Sequence, residues 1–321
     1  MSPSGRNQLL GGKYELIAPA GEGGMASVWR GLTHGDAGFR RKVAIKRVLQ
    51  QHASNQSFAA MFVQEAHVVA DLNHPNIVQI HDFGRDPLGN YFIVMEWVEG
   101  IGLDAYLRSF TSRGEQAPWH LVAAICIEAL RALTAAHERV DEMGRPSPVF
   151  HRDVNPVNIM LSSHGVVKLA DFGLARAMDR PGDTSPGIVK GKVAYLAPEI
   201  LEGKRKADAR SDVYSIGVVL WEGLTGRRLF GGEGTDVEIA MRALAGVVPR
   251  VNSIRDDIPD AIGDVAHGAL TRTPEARFQN ARAMVEALSS VLRRHPDASD
   301  GNALAKSVEL ARKRIREGTP P

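Results

Sequence analysis

Near Gly100 the pattern of this 321-residue chain changes, and that change limits its architecture more than any other feature. Before it, short runs rich in β-favouring residues alternate with glycine-containing breaks: Tyr14 to Ala20, Ser27 to Leu32 and Val43 to Leu49. A further pair, Asn76 to Phe83 and Tyr91 to Val98, flanks the turn Arg-Asp-Pro-Leu-Gly-Asn. One helical pattern interrupts these strands. Phe58, Phe62, Glu65, Val69 and Leu72 recur at steps of four and three, which sets them on one helix face. After Gly100 long helices take over. Pro118 to His137 opens with a proline in its first turn, and Ser211 to Thr225 has a cap-type serine before it and Gly226 behind. The expectation is an α+β chain in two lobes, β-rich then α-rich, joined near Glu96 to Gly100.

Composition excludes several classes. With 44% hydrophobic and 24% charged residues the chain is neither disordered nor low-complexity. Charge nearly cancels, 39 Lys+Arg against 37 Asp+Glu, so there is no electrostatic footprint for nucleic acid or a membrane surface. The single cysteine, Cys126, cannot form an internal disulfide and reads as a small core residue; it suits a reducing cytoplasm. Residues 1–13 lack a signal peptide's apolar stretch and read as a flexible leader. Val213 to Leu224 is too short to span a bilayer and carries Glu222, so a buried core helix is expected and no membrane segment. Residues 293–321 read as a polar tail with at most a short amphipathic helix.

Three groups of residues point to phosphate chemistry. Gly21, Gly23 and Gly24 lie in the turn between the first two strands, where a backbone without side chains can approach phosphate oxygens. Glycine-rich hairpins also occur as plain turns, and a strand rather than a helix follows, so a dinucleotide fingerprint is ruled out. Glu65 on an apolar helix face and Lys46 at the end of Val43-Ala44-Ile45 are each out of place alone and explain one another as an ion pair. The alternative is that both reach solvent at the sheet edge. Third, His151-Arg152-Asp153, Asn158 and Asp171-Phe172-Gly173 cluster around a strand-turn-strand. Asn158 and Asp171 offer oxygen ligands for Mg²⁺, which leaves Asp153 to meet a substrate hydroxyl.

These residues, in this order, resemble the signature set of the protein kinases, most closely the bacterial serine/threonine kinases of eukaryotic type. The matches run Gly-Glu-Gly-Gly-Met-Ala-Ser-Val (21–28), Val-Ala-Ile-Lys (43–46), Glu65, His-Pro-Asn-Ile-Val (74–78) and Met-Glu-Trp-Val-Glu-Gly (95–100). His-Arg-Asp with Asn158, Asp-Phe-Gly, Ala-Pro-Glu (197–199), Asp212 and Arg277 follow. Each is weak alone; their order is not accidental.

The resemblance implies a bilobal kinase fold: a small β-rich N-lobe with one key helix over 14–99, and a larger, mainly α-helical C-lobe over 100–292. It implies ATP and Mg²⁺ as cofactors and protein substrates. Ala20, Gly21, Gly23, Gly24, Met25, Ala26 and Val28 would cover the phosphates, with Lys46 on the α/β-phosphates and Glu65 orienting it. Glu96 and Val98 would hold adenine by their backbone behind Met95, with Val28, Ala44 and Met160 sandwiching the ring. Asp153 would accept the hydroxyl proton, and Asn158 and Asp171 would bind Mg²⁺. Val69, His151 and Phe172 would stack on an anchor at Asp212, and Glu199 would pair with Arg277. His74, His81 and His137 read as structural. The family also allows a homodimer paired through the small lobe.

The sequence departs from the family at three places. Ala26 replaces the third loop glycine, Asn155 stands where serine/threonine kinases carry a lysine, and Lys192 stands where they carry a threonine. If the folds correspond, Asn155 and Lys192 face each other across Asp153, and Lys192 supplies the missing cation. Arg152 and Arg176 match a pair that binds an activation-loop phosphate, and Thr184 and Ser185 are the only hydroxyl residues between Leu174 and Gly191, so autophosphorylation there is expected. Two other readings stand beside an active kinase. One is a pseudokinase scaffold, favoured only by Asn155 and Lys192; the other is a small-molecule kinase, disfavoured by Ala-Pro-Glu and the Asp212 helix.

Overall fold

The computed structural model describes residues 9–23, 26–49, 62–63, 66, 69–172, 192–231 and 234–318. The chain divides into two compact units, one holding residues 1–73, 78–98 and 174–189, the other 74–77, 99–173 and 190–321.

The first unit is built on a six-stranded antiparallel sheet of order β1-β2-β3-β4-β6-β5. Its strands are β1 Leu9–Leu10, β2 Tyr14–Glu22, β3 Ala26–His34, β4 Arg40–Val48, β5 Ile80–Arg85 and β6 Tyr91–Glu96. Alternation along β4 sorts its side chains between two cores. Val43 and Ile45 pack with Leu10, Tyr14, Leu16, Phe92 and Val94, whereas Val48 joins Ile93, Phe62 and Ala66 on the other face. The leader is therefore not wholly loose: Leu9 and Leu10 pair with Glu15 and Tyr14, and Leu10 is fully buried. Asn76 to Gln79 are not strand; the β5 ladder begins at Ile80. The β5–β6 turn is tied by Asp86, whose Oδ1 accepts from Leu88 N and Asn90 N at 2.9 and 2.8 Å while Arg47 donates to Oδ2 at 2.9 Å. Of the amphipathic helix face, Phe62, Val69 and Leu72 are buried; Phe58 and Glu65 lie outside the described residues.

The second unit carries a three-stranded sheet, β7 Gly100–Gly102, β8 Ile159–Ser162 and β9 Val167–Leu169, and eight helices among the described residues. In chain order these are α1 Leu103–Thr111, α2 Trp119–His137, α3 Pro198–Leu201, α4 Ala209–Thr225, α5 Asp236–Ala245, α6 Asp260–Ala269, α7 Ala281–Leu292 and α8 Gly301–Gly318. Helix α2 is long and apolar enough to cross a membrane, more so than the Val213 to Leu224 run singled out from the sequence, but it packs against α4 and α7 with most of its surface buried. Helix α4 begins earlier than expected. Asp208 is its N-cap, and Ser211 closes a capping box from the third helical position instead of capping the helix itself.

The C-terminal segment is the larger revision. Residues expected as a polar tail form the 18-residue α8, seated on α1, β7 and β8. Leu304, Val308 and Ala311 make its buried stripe, and burying such aliphatic side chains contributes about 1.5–3 kcal/mol for each large one. The Tyr106 hydroxyl meets Ser307 Oγ at 2.8 Å, and the Arg314 guanidinium lies over the Phe110 ring at 4.8 Å. Gly165 permits this seating twice over. Its φ is +76°, and a Cβ there would stand 1.8 Å from the Gly301 carbonyl oxygen.

Candidate active site

Strand register in the first unit brings several expected residues onto one sheet face. Lys46 on β4 lies opposite Val28 on β3 and Ile93 on β6, and Ala44 lies opposite Met95. Directly paired residues point to the same side, so Val28, Ala44, Lys46 and Met95 share a face. Lys46 is 8% exposed. The β2–β3 hairpin closes with Gly21 opposite Val28 and Gly23 N donating to Ala26 O at 2.9 Å. Neither Gly21 nor Gly23 has a left-handed backbone, and a Cβ at Gly21 would meet nothing within 4 Å. The turn does not require glycine at position 21; what glycine provides is an unobstructed surface. Ala20 ends exposed and Ala26 buried, while Gly24, Met25 and Glu65 lie outside the described residues. The Glu96 N–H is taken by Gln79 O at 2.8 Å, and Val98 follows it beyond the end of β6.

In the second unit the chain from Val149 to Phe172 folds around one buried carboxylate. Asp212, on the first turn of α4, is fully buried and accepts from the backbone N–H of His151 and of Arg152, both at 2.8 Å. His137, at the end of α2, adds a third bond at 2.8 Å from Nε2. Burial pushes the Asp212 carboxyl upward, but the His137 bond, the neighbouring His137 and His151 rings and the Arg152 amide together hold it below the usual carboxylate range. The anchored turn is strained, with Arg152 at φ 65° and Asp171 at φ 59°. His151 is fully buried and neutral: burial lowers its pKa against the nearby carboxylates. Its Nδ1 accepts from Asp153 N at 3.2 Å while Nε2–H donates to Ala170 O at 2.9 Å, which fixes the tautomer. The Phe172 ring packs against it, tilted by 52° with centroids 4.5 Å apart; Val69 belongs to the other unit.

Asp153 is held from three sides. Asn155 Nδ2 donates to its Oδ1 at 3.0 Å and Asn158 Nδ2 to its Oδ2 at 3.1 Å, and both amides also reach its main-chain oxygen, at 2.8 and 2.7 Å. Lys192 Nζ pairs with the same Oδ2. Asn155 and Lys192 thus converge on Asp153 from opposite partners in the chain, as their joint departure from the family pattern suggested. Asn158 spends its amide N–H groups on Asp153, which leaves its Oδ1 as a hard oxygen donor suited to Mg²⁺. Met160 lies on β8 opposite Gly102 and Lys168.

Below this turn lies the Ala-Pro-Glu segment. Glu199 on α3 receives a two-pronged bond from Arg277, both arms at 2.7 Å and both side chains buried. Tyr195 donates to Glu222 at 2.8 Å, and Glu222 also accepts from Arg228 at 2.9 Å and Leu229 N at 3.1 Å. The sequence reading used Glu222 only to argue against a membrane span, and His137 only as structural. A charged or imidazole side chain in an otherwise apolar helix face was the available signal for both.

The Asp212-anchored turn, the carboxylate ringed by two amides and a lysine, and the paired Glu199 are the arrangement that the kinase resemblance leads one to expect. The protein kinase domain model matches residues 14–289. The chain belongs to the protein kinase family. Among curated relatives, the tyrosine-protein kinase MasK of Myxococcus xanthus is 38% identical over 90% of this chain and 44% of its own length. The serine/threonine-protein kinase PknL of Mycobacterium tuberculosis is 38% identical over 96% of this chain and 74% of its own. PrkC of Bacillus subtilis, also named a serine/threonine kinase, is 34% identical over 86% and 40%. The chain thus spans less than half the length of MasK and PrkC. A crystal structure of the Mycobacterium tuberculosis PknI kinase domain superposes with TM-score 0.65 at 26% identity, covering 90% of this chain and 99% of that one. Protein kinases take ATP as phosphoryl donor, typically with Mg²⁺, and PknL and PrkC are both named serine/threonine kinases.

Proposed function

We propose that this kinase transfers the γ-phosphoryl group of ATP to serine and threonine hydroxyls of proteins, its own activation segment included. The observation that supports this most is the Asp153 carboxylate, fixed by Asn155 and Asn158 and paired with Lys192. A carboxylate so oriented accepts the hydroxyl proton as the new O–P bond forms and the bond to the β-phosphate oxygen breaks. Lys46 and the glycine hairpin would hold the phosphates. The backbone of Glu96 and Val98 would hold adenine, with Val28 and Ala44 against the ring. Asn158 and Asp171 would hold Mg²⁺, which would neutralise phosphate charge when bound. Lys192 supplies from the activation segment the cation that Asn155 cannot, stabilising charge on the transferring oxygens.

A tyrosine acceptor is the second reading, favoured by the absence of a lysine at Asn155 and by the name of MasK. The Ala-Ala-Arg pattern typical of tyrosine kinases is missing, since Val154, Asn155 and Pro156 follow Asp153.

The deciding experiment incubates phosphatase-treated protein with Mg²⁺-ATP, alone and with a generic acceptor protein, then maps phosphosites by mass spectrometry, with Asp153→Asn alongside. Thr184 and Ser185, which lie outside the described residues, are the expected sites, modified in the wild type only. Phosphotyrosine alone would transfer the assignment to the second reading. No transfer to any acceptor would leave a nucleotide-binding scaffold.

A further inference from the structure

Away from the Asp153 turn, three metal-ligating side chains from distant parts of the second unit converge. His120 stands in the first turn of α2, and His295 and Asp297 lie in the connection between α7 and α8. Each offers one ligand atom, and these atoms lie within 4.8 Å of one another, the one such group of three among the described residues. Asp297 Oδ2 is 3.9 Å from His120 Nδ1 and 4.0 Å from His295 Nδ1. The two imidazoles stack at 5.4 Å, and Trp119 buttresses His295 edge-on at 4.4 Å. Both histidine side chains are mostly buried, 15% and 21% exposed, whereas Asp297 is 65% exposed.

We propose that His120, His295 and Asp297 form a site for a divalent transition cation of the zinc type, which fastens the root of α8 to the start of α2. Two imidazoles and one carboxylate form a common donor set for such an ion, with water completing a tetrahedron. Donors at bond lengths of about 2.0–2.2 Å stand roughly 3.3 Å apart in that geometry, so the group must contract slightly. Asp297 closes its own two gaps by side-chain rotation, the His120–His295 separation closes by rotation of the rings, and His295 Nδ1 exchanges the Asp297 N–H it accepts at 3.2 Å for the cation. Arg255 is a positively charged neighbour of His120. Arg255 is itself paired with Asp257 at 2.6 Å, which limits its repulsion of a cation. Aromatic packing on His295 and the close pairing of the rings pre-position both imidazoles, much as outer-shell contacts do in metal sites. None of these residues belongs to the phosphotransfer site, so the two readings stand or fall separately.

The test titrates the intact chain with Zn²⁺ by calorimetry, without nucleotide and with excess Mg²⁺ to occupy the Asn158 and Asp171 oxygen donors. One equivalent should bind, and bound Zn²⁺ should raise the melting temperature. His295→Asn and Asp297→Asn should each weaken binding by about 10-fold or more and abolish the thermal shift. Asp297→Asn changes an exposed side chain, so its fold is retained even if the His295 variant is compromised. No Zn²⁺ binding by the wild type, or equal binding and equal thermal shifts in both variants, overturns the site.

Discussion

At the scale of single residues, the departures from the family pattern carry more information than the matches. Asn155 replaces a cation with an amide, and the amide serves to orient Asp153. The positive charge arrives on Lys192, at the start of a 3₁₀ turn spanning Lys192–Tyr195. Lys192→Ala should therefore lower kcat by about 100-fold or more, in the range of lost electrostatic stabilisation, with a smaller change in KM for ATP. Lys204→Ala is the matched control, since Lys204 pairs at the surface with Glu202 at 2.9 Å, and it should change kcat less than about twofold. Steady-state kinetics on the two variants decides; equal small effects would remove Lys192 from the mechanism. Adjacent to this pair, Asn158 illustrates how one side chain serves two duties. Its N–H groups hold the Asp153 carboxylate, and its amide oxygen is a donor suited to a hard cation.

At the scale of elements, buried polar anchors hold the irregular loops to the helices. Asp212 rides on the first turn of α4, whose register is set by the Asp208–Ser211 capping box, so the cap positions the catalytic turn as well as starting a helix. The Glu199–Arg277 pair joins α3 to the turn before α7, and Arg277 also donates to the carbonyls of Thr271 and Arg272 at 2.5 and 2.7 Å. A lysine cannot reproduce that fork, so Arg277→Lys keeps the charge yet strands a buried carboxylate and two carbonyls. It should cost about 3–5 kcal/mol, read as a lower urea midpoint with unchanged slope. A loss under 1 kcal/mol would show that solvent or neighbouring groups satisfy Glu199 instead.

At the scale of the whole molecule, buried titratable groups act together. Burial is the leading cause that lowers the pKa of His151, His74, His120 and His267. The unfolded chain then binds more protons than the folded one as pH falls below about 6.5, so stability declines with falling pH from there. Each such histidine contributes at most about 1.4 kcal/mol per pH unit. The carboxylates work further down. Burial raises Asp212, Asp82, Asp86 and Asp208, but bonds from His137, Lys13, Arg47 and Arg210 respectively outweigh it and leave each pKa lowered. Their stabilisation is present above about pH 3.9 and disappears as each is protonated below it. Urea midpoints measured in metal-free buffer should thus fall between pH 7.5 and 5.5, above the range in which Asp212, Asp82, Asp86 and Asp208 titrate, with buried Glu222, whose pKa is raised, as the one opposing group among the described residues. A flat profile over that interval would contradict the histidine assignment.

Legible in the sequence were the β-to-α change near Gly100 and the ordered motifs that contain Lys46, Asp153, Asn158 and Asp171. Period-two and helical patterns and ordered motifs are local, and a linear reading recovers them. It also paired Asn155 with Lys192, because two linked departures from one pattern point at a shared neighbour. What lay out of reach depends on distance through space. His137 joins a carboxylate 75 positions away, and Glu222 meets Tyr195 and Arg228 only once α4 is packed. The polar segment after Arg293 shows too little periodicity to announce α8, which is decided by the surface of α1, β7 and β8 that receives Leu304, Val308 and Ala311. Tertiary structure alone makes a buried partner for a charge or a stripe, and that burial converts an ordinary residue into an anchor.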